Sequence, residues 1–110
     1  MVILLDENLP HQLRLLLGAH DVRTVAYQGW AGLTNGVLLK AAEDAGLDVF
    51  VTGDQGIRHQ QNLRHLKMSL VVHSENDGAL VISNAERIAK AVEVAKPGEI
   101  HWVLLDPRTT

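Results

Sequence analysis

Short, unbroken apolar runs separated by stretches of helical periodicity constrain this chain more than any other feature. Val2-Ile3-Leu4-Leu5 and Val49-Phe50-Val51 carry no polar residue on either face. Such strands are buried on both sides, as strands are inside a parallel sheet covered by helices. Asp21 to Val25, Met68 to His73 and Ile100 to Leu105 read as three further strands. Between the first two strands Asn8 can cap a helix with Pro10 in its first turn, and Leu9, Leu13, Leu16 and Leu17 share one face until Gly18. A second helix from near Asn35 to Ala45 buries Leu38, Ala41, Ala42 and Ala45, with Gly46 as its C-cap. Gly56 to Lys67 has helical character but a thin apolar stripe. Asn84 to Ala95 presents Ala85, Ile88, Ala89, Val92 and Ala95, with Ser83 and Glu86 spaced as a capping box and Pro97-Gly98 as the stop. This alternation predicts a three-layer α/β fold: a mostly parallel central sheet of about five strands, helices on both faces, and right-handed crossovers.

Composition narrows the functional classes. A chain of 110 residues, 46% hydrophobic and 21% charged, fits a single domain over residues 1–110 with one core. No apolar stretch approaches the roughly 20 residues that span a bilayer. The N-terminus has neither the basic flank nor the apolar length of a secretory signal. A cytoplasmic location without membrane attachment is expected. The absence of cysteine excludes disulfides and thiolate metal sites, leaving carboxylates, imidazoles and amides, a set suited to hard cations. With a net charge of -3, any affinity for nucleic acid has to come from a local patch.

Two acidic stations follow the strongest strands: Asp6-Glu7 after the first, and Asp54 after Val49 to Gly53. In open α/β sheets the ligand crevice lies beyond the carboxyl ends of the strands, so these side chains can converge. Clustered carboxylates repel one another, and a divalent cation is the usual remedy. Each residue also has a plainer role: Glu7 as an exposed acid at a helix N-terminus, Asp54 as a turn residue in Gly53-Asp54-Gln55-Gly56. After Asp54 comes a run without acids, Arg58, His59, Gln60, Gln61, Asn62, Arg64, His65 and Lys67. Its cations suit phosphates and its amides suit bases or sugar hydroxyls of single-stranded RNA, although a solvated face has the same composition. Trp30, in a glycine-flanked loop, suits a core plug, a partner anchor or a base-stacking platform. No histidine pair at i, i+4 has acidic support, so none of the six is assigned as a metal ligand.

Ile3-Leu4-Leu5-Asp6-Glu7-Asn8-Leu9-Pro10, His20 to Val25, Gly29-Trp30, and Val49-Phe50-Val51-Thr52-Gly53-Asp54-Gln55 together resemble the short single-domain PIN-like proteins, over nearly the whole chain. The resemblance implies a metal-dependent ribonuclease in which Asp6 and Asp54 hold Mg2+ or Mn2+ and Glu7 is the acid beside the first aspartate. It also implies a single-stranded RNA substrate and a small antitoxin-like protein as partner. Two positions depart from the family pattern: Asn35-Gly36 stands where an acid opens the second helix, and Gln55-Gly56 where another acid follows the third-strand aspartate. Asn35 and Gln55 can still supply oxygen ligands or hold water, since Mg2+ keeps several waters and takes few protein ligands.

The same skeleton suits two alternatives. One is a PIN-like module that binds RNA or a partner without cutting. The other is a receiver-like signalling domain phosphorylated at Asp54, a scheme that needs a lysine just after the last strand, where Leu105-Asp106-Pro107-Arg108 has none. The sequence leaves the oligomeric state open, a homodimer included.

Overall fold

β1 (Val2–Leu5) is apolar on both faces, and Ile3, Leu4 and Leu5 are fully buried inside the sheet. In the computed structural model the described residues are 1–7, 9–18, 20–59, 63–74 and 77–105, and for Arg58, His59 and Arg64 the backbone alone. β1 pairs with β2 (Asp21–Thr24) on one side and β3 (Val49–Thr52) on the other. β4 (Ser69–His73) and β5 (Ile100–Val103) extend the sheet beyond β3, and every pairing is parallel. The five-stranded order is β2-β1-β3-β4-β5. This is the doubly wound order in which the chain reverses direction between β1 and β3, and that reversal opens a crevice at the strands' carboxyl ends.

The pleat divides the core in two. Ile3, Leu5, Val49, Val51, Val71 and Val103 face one side, where they meet Leu9, Leu13 and Leu17. Only the turn Leu13–Leu16 is regular α-helix there (α1), shorter than the leucine pattern suggested. Leu9, Leu13 and Leu17, spaced four apart, form its buried stripe, and Leu16 falls outside it, 46% exposed. On the opposite side Leu4, Phe50, Leu70 and Val72 pack against α2 (Asn35–Asp44) through Leu38, Leu39 and Ala42. Leu39 takes a buried place that the sequence pattern gave to Ala45, which is exposed. Gly46, at φ +78, closes α2 in the left-handed conformation that a side chain would strain.

The stretch after β3 forms two 3-10 turns, Gln55–His59 and Leu63–His65, rather than an α-helix. Ile57 is buried and Leu63 and Leu66 partly so, too few anchors to hold a continuous amphipathic helix. Between β4 and β5 lie α3 (Gly78–Ser83), which the sequence pattern did not anticipate, and α4 (Ala85–Val94). Asp77 caps α3 by accepting from Leu80 N. The Ser83 hydroxyl donates to Leu80 O inside that helix, so Ser83 and Glu86 form no capping box.

One crossover departs from the right-handed expectation. α4 buries Ala85, Ile88, Ala91 and Val92 on the same side as α1, whereas α2 and the 3-10 turns lie on the other. Because β3 to β4 and β4 to β5 step in the same direction, the β4-α3-α4-β5 connection winds with the hand opposite to the other three. A single turn of α1 leaves much of its side of the sheet bare, and α4 covers it. Among the described residues no helix is long and apolar enough to cross a membrane.

Candidate active site

Asp6 leaves β1 with its backbone N–H still donating to Val51 O of β3 at 3.0 Å, so it stands at the seam between these strands. Thr52 ends β3, and Gly53-Asp54 follows it over the same edge. The two aspartates line one open hollow of about 490 Å3, together with Glu7, Leu33, Asn35 and the loop Gly53 to Gly56. Parallel pairing of β1 with β3 is the cause: neighbouring strands running the same way must end at the same edge.

A chain of hydrogen bonds joins the two stations. Asp54 N donates to Thr52 Oγ1 at 3.0 Å, and the Thr52 hydroxyl donates to Asp6 Oδ2 at 2.5 Å, the length of a charge-assisted bond. Glu7 N donates to Asp6 Oδ1 at 2.8 Å. Both oxygens of Asp54 are also engaged: Oδ2 accepts from Asn35 Nδ2 at 2.8 Å and Oδ1 from Gly56 N at 2.9 Å. Thr52 is fully buried, Asp6 half-buried and Asp54 exposed, so the hydroxyl linking the Asp6 carboxylate to the Asp54 backbone is shielded while both carboxylates line the open hollow.

Asn35, the first residue of α2, therefore holds Asp54, a role consistent with a supporting position. Gln55 donates its side-chain amide to Ser74 O at 3.0 Å, which ties the loop after β3 to the end of β4. A Cβ at Gly56 would lie 3.1 Å from Asp54 Oδ1, so the glycine lets the backbone approach that carboxylate closely. Thr52 was missed by sequence reasoning. It looked like one more β-branched strand residue, and its hydroxyl acquires meaning only beside a residue 46 positions away.

The remaining candidates fall elsewhere. Trp30 is half-buried against the α2 side of the core and takes no part in lining the crevice. His65 ends the second 3-10 turn and Lys67 follows it, both exposed, and Lys67 N donates to Glu43 Oε2 at 2.8 Å. The side chains of Arg58, His59 and Arg64, and Gln60 to Asn62 altogether, lie outside the described residues, as do Asn8 and Asp106 to Arg108.

Among the described residues no group of three or more His, Asp or Glu side chains is placed to share a metal ion. Asp6 and Asp54 do share the crevice, and Mg2+ is commonly held by one or two carboxylates with water and substrate oxygens filling its other positions. Each Asp6 and Asp54 oxygen accepts one hydrogen bond among the described residues and has two lone pairs, so the donor set fits a hard divalent cation of that kind. No family model, curated protein or solved structure matches the chain.

Proposed function

We propose that this protein is a PIN-like ribonuclease, dependent on Mg2+ or Mn2+, that cuts single-stranded RNA in the cytoplasm and is held in check by a small antitoxin-like protein. The observation that carries the proposal is the juxtaposition of Asp6 and Asp54, from strands separated by more than forty residues, in one crevice and on one buried hydroxyl. Asp6 and Asp54 would hold the cation, whose contribution is to neutralise charge gathering on the phosphoryl oxygens. Glu7, exposed in the crevice lining, would take a proton from the attacking water. Asn35 and Gly56 N keep Asp54 in a fixed orientation, and the cations in the sequence from Arg58 to Lys67 would contribute to gripping the RNA backbone. An inhibitor fitted to this crevice would present an arginine to the carboxylates and an apolar side chain to Leu33.

Incubation of end-labelled single-stranded RNA with the purified protein tests the proposal. Cleavage is expected with either metal, stops with EDTA, and is lost in Asp6→Asn and Asp54→Asn, each of which keeps the wild-type circular dichroism spectrum. Cleavage that survives either substitution refutes the assignment. RNA that binds but stays intact under every metal condition favours the non-cleaving module. The β2-β1-β3-β4-β5 order is shared with receiver domains, so the receiver reading keeps one specific observation in its favour. Incorporation of phosphate at Asp54 from acetyl phosphate, absent in Asp54→Asn, would support it instead.

A further inference from the structure

A second hollow, of about 680 Å3, opens along the outer edge of β2, beside α1. Its walls carry Arg14 from α1, Asp21, Arg23 and Thr24 from β2, and Tyr27 and Gln28 from the following turn. Three features distinguish it from ordinary solvated surface. The first is charge: it holds two guanidinium groups and one carboxylate, in contrast to the first crevice, whose charged groups are all acidic.

The second is rigidity. Arg23 Nη2 donates to Asp21 Oδ2 at 2.9 Å, and this hydrogen bond, reinforced by the charge attraction, raises the Arg23 pKa above its ordinary value. The turn is pinned by Tyr27 N to Thr24 Oγ1 at 3.1 Å and Gln28 N to Thr24 O at 3.1 Å. The third is the tyrosine. The chain has a single Tyr, and its ring is 80% exposed on that pinned turn, where burial would have been expected for so scarce an aromatic.

We infer that this hollow is a nucleotide-binding subsite for single-stranded RNA, with a base stacked on Tyr27, its edge met by the Gln28 amide, and a flanking phosphate on Arg14. An aromatic face, an amide and a guanidinium within one concave surface match a base face, a base edge and a phosphate. Among the described residues the Arg14 guanidinium makes no ion pair, and it is exposed and available to a phosphate. One end of the hollow reaches the sheet edge at which the crevice lies. Thr24 is the register partner of Leu5, and Val25 N donates to Leu5 O at 3.0 Å, so the turn bearing Tyr27 begins one strand away from Asp6. A polyanion crossing the acidic crevice gains little attraction from it without a cation, and the subsite supplies a grip beside it.

The inference rests on the ribonuclease reading for its choice of ligand, but it is tested without cleavage. Fluorescence anisotropy of a labelled oligouridylate octamer, titrated with the full chain in EDTA, reads binding alone. Tyr27→Ala is expected to weaken binding about tenfold, whereas Tyr27→Phe, which keeps the stacking face, stays within about twofold of wild type. Arg14→Ala is expected to weaken binding and to reduce the slope of log K against log salt by about 0.7, the loss of one phosphate contact on a single strand. Both side chains are exposed, so these variants fold, as circular dichroism will verify. Wild-type affinity in Tyr27→Ala and Arg14→Ala overturns the subsite, as does an octamer that fails to bind wild-type protein at all. Metal-dependent cleavage persisting alongside that result leaves the ribonuclease reading intact, and Tyr27-dependent binding without cleavage under any metal condition refutes the nuclease while upholding the subsite.

Discussion

Replacing Thr52 with valine keeps the shape of a fully buried side chain and removes only the hydroxyl that links the two acidic stations. Two bonds disappear. The bond to the Asp6 carboxylate is charge-assisted, a class that contributes about 1.5–3 kcal/mol, and the Asp54 N–H loses its acceptor at a cost of about 1–3 kcal/mol. Asp6 is half-buried and can recover part of its bond from water, which places the expected net loss near 2 kcal/mol. For a domain of this size that corresponds to a fall in Tm of about 8 °C. Thr52→Ser retains the hydroxyl and gives up one buried methyl, a loss of about 1 kcal/mol by a different route. The two variants therefore separate bonding from packing. Thermal unfolding by circular dichroism, with RNA cleavage measured in parallel, reads both effects: on the proposed ribonuclease reading Thr52→Val is expected to lose stability and cleavage together, while Thr52→Ser keeps cleavage. A Thr52→Val protein as stable as wild type would refute the account of the hydroxyl as the link between Asp6 and Asp54. A double-mutant cycle with Asp6→Asn should give a coupling energy of at least about 1 kcal/mol, since the two residues touch directly.

Gly56→Ala brings a Cβ to 3.1 Å from Asp54 Oδ1, so the carboxylate has to give by a few tenths of an ångström; cleavage is expected to fall several-fold while Tm moves by about 4 °C or less, and an unchanged rate would mean that Asp54 needs no such alignment. Phe50→Ala empties the centre of the α2-side core and is expected to destabilise by about 3–5 kcal/mol in urea unfolding, whereas a loss under 1 kcal/mol would contradict the packing described for that face.

Much of the framework was legible along the chain. Runs such as Val2 to Leu5 and Val49 to Val51 could be satisfied only by burial on both faces, which already implies parallel strands under two helical layers, and Asp6 and Asp54 directly after them implied a shared edge. α2 and α4 were equally readable, because a ten-residue amphipathic stripe is a local pattern. α3 was not: its six residues are too few for a periodic signal, and its cap, Asp77, is ordinary turn composition until Leu80 N is seen to donate to it. Nor could local patterning foretell the reversed hand of the last crossover, which depends on how much of the sheet α1 leaves uncovered. The site divides in the same way. The sequence by itself determined which carboxylates stand at strand ends, since each follows from its own few neighbours. Only the tertiary structure decided that Thr52 joins them, that Asn35 holds Asp54, and that Arg14 and Tyr27 share a hollow, because those relations run through hydrogen bonds and surfaces made by residues far apart in the chain and depend on strand order and register.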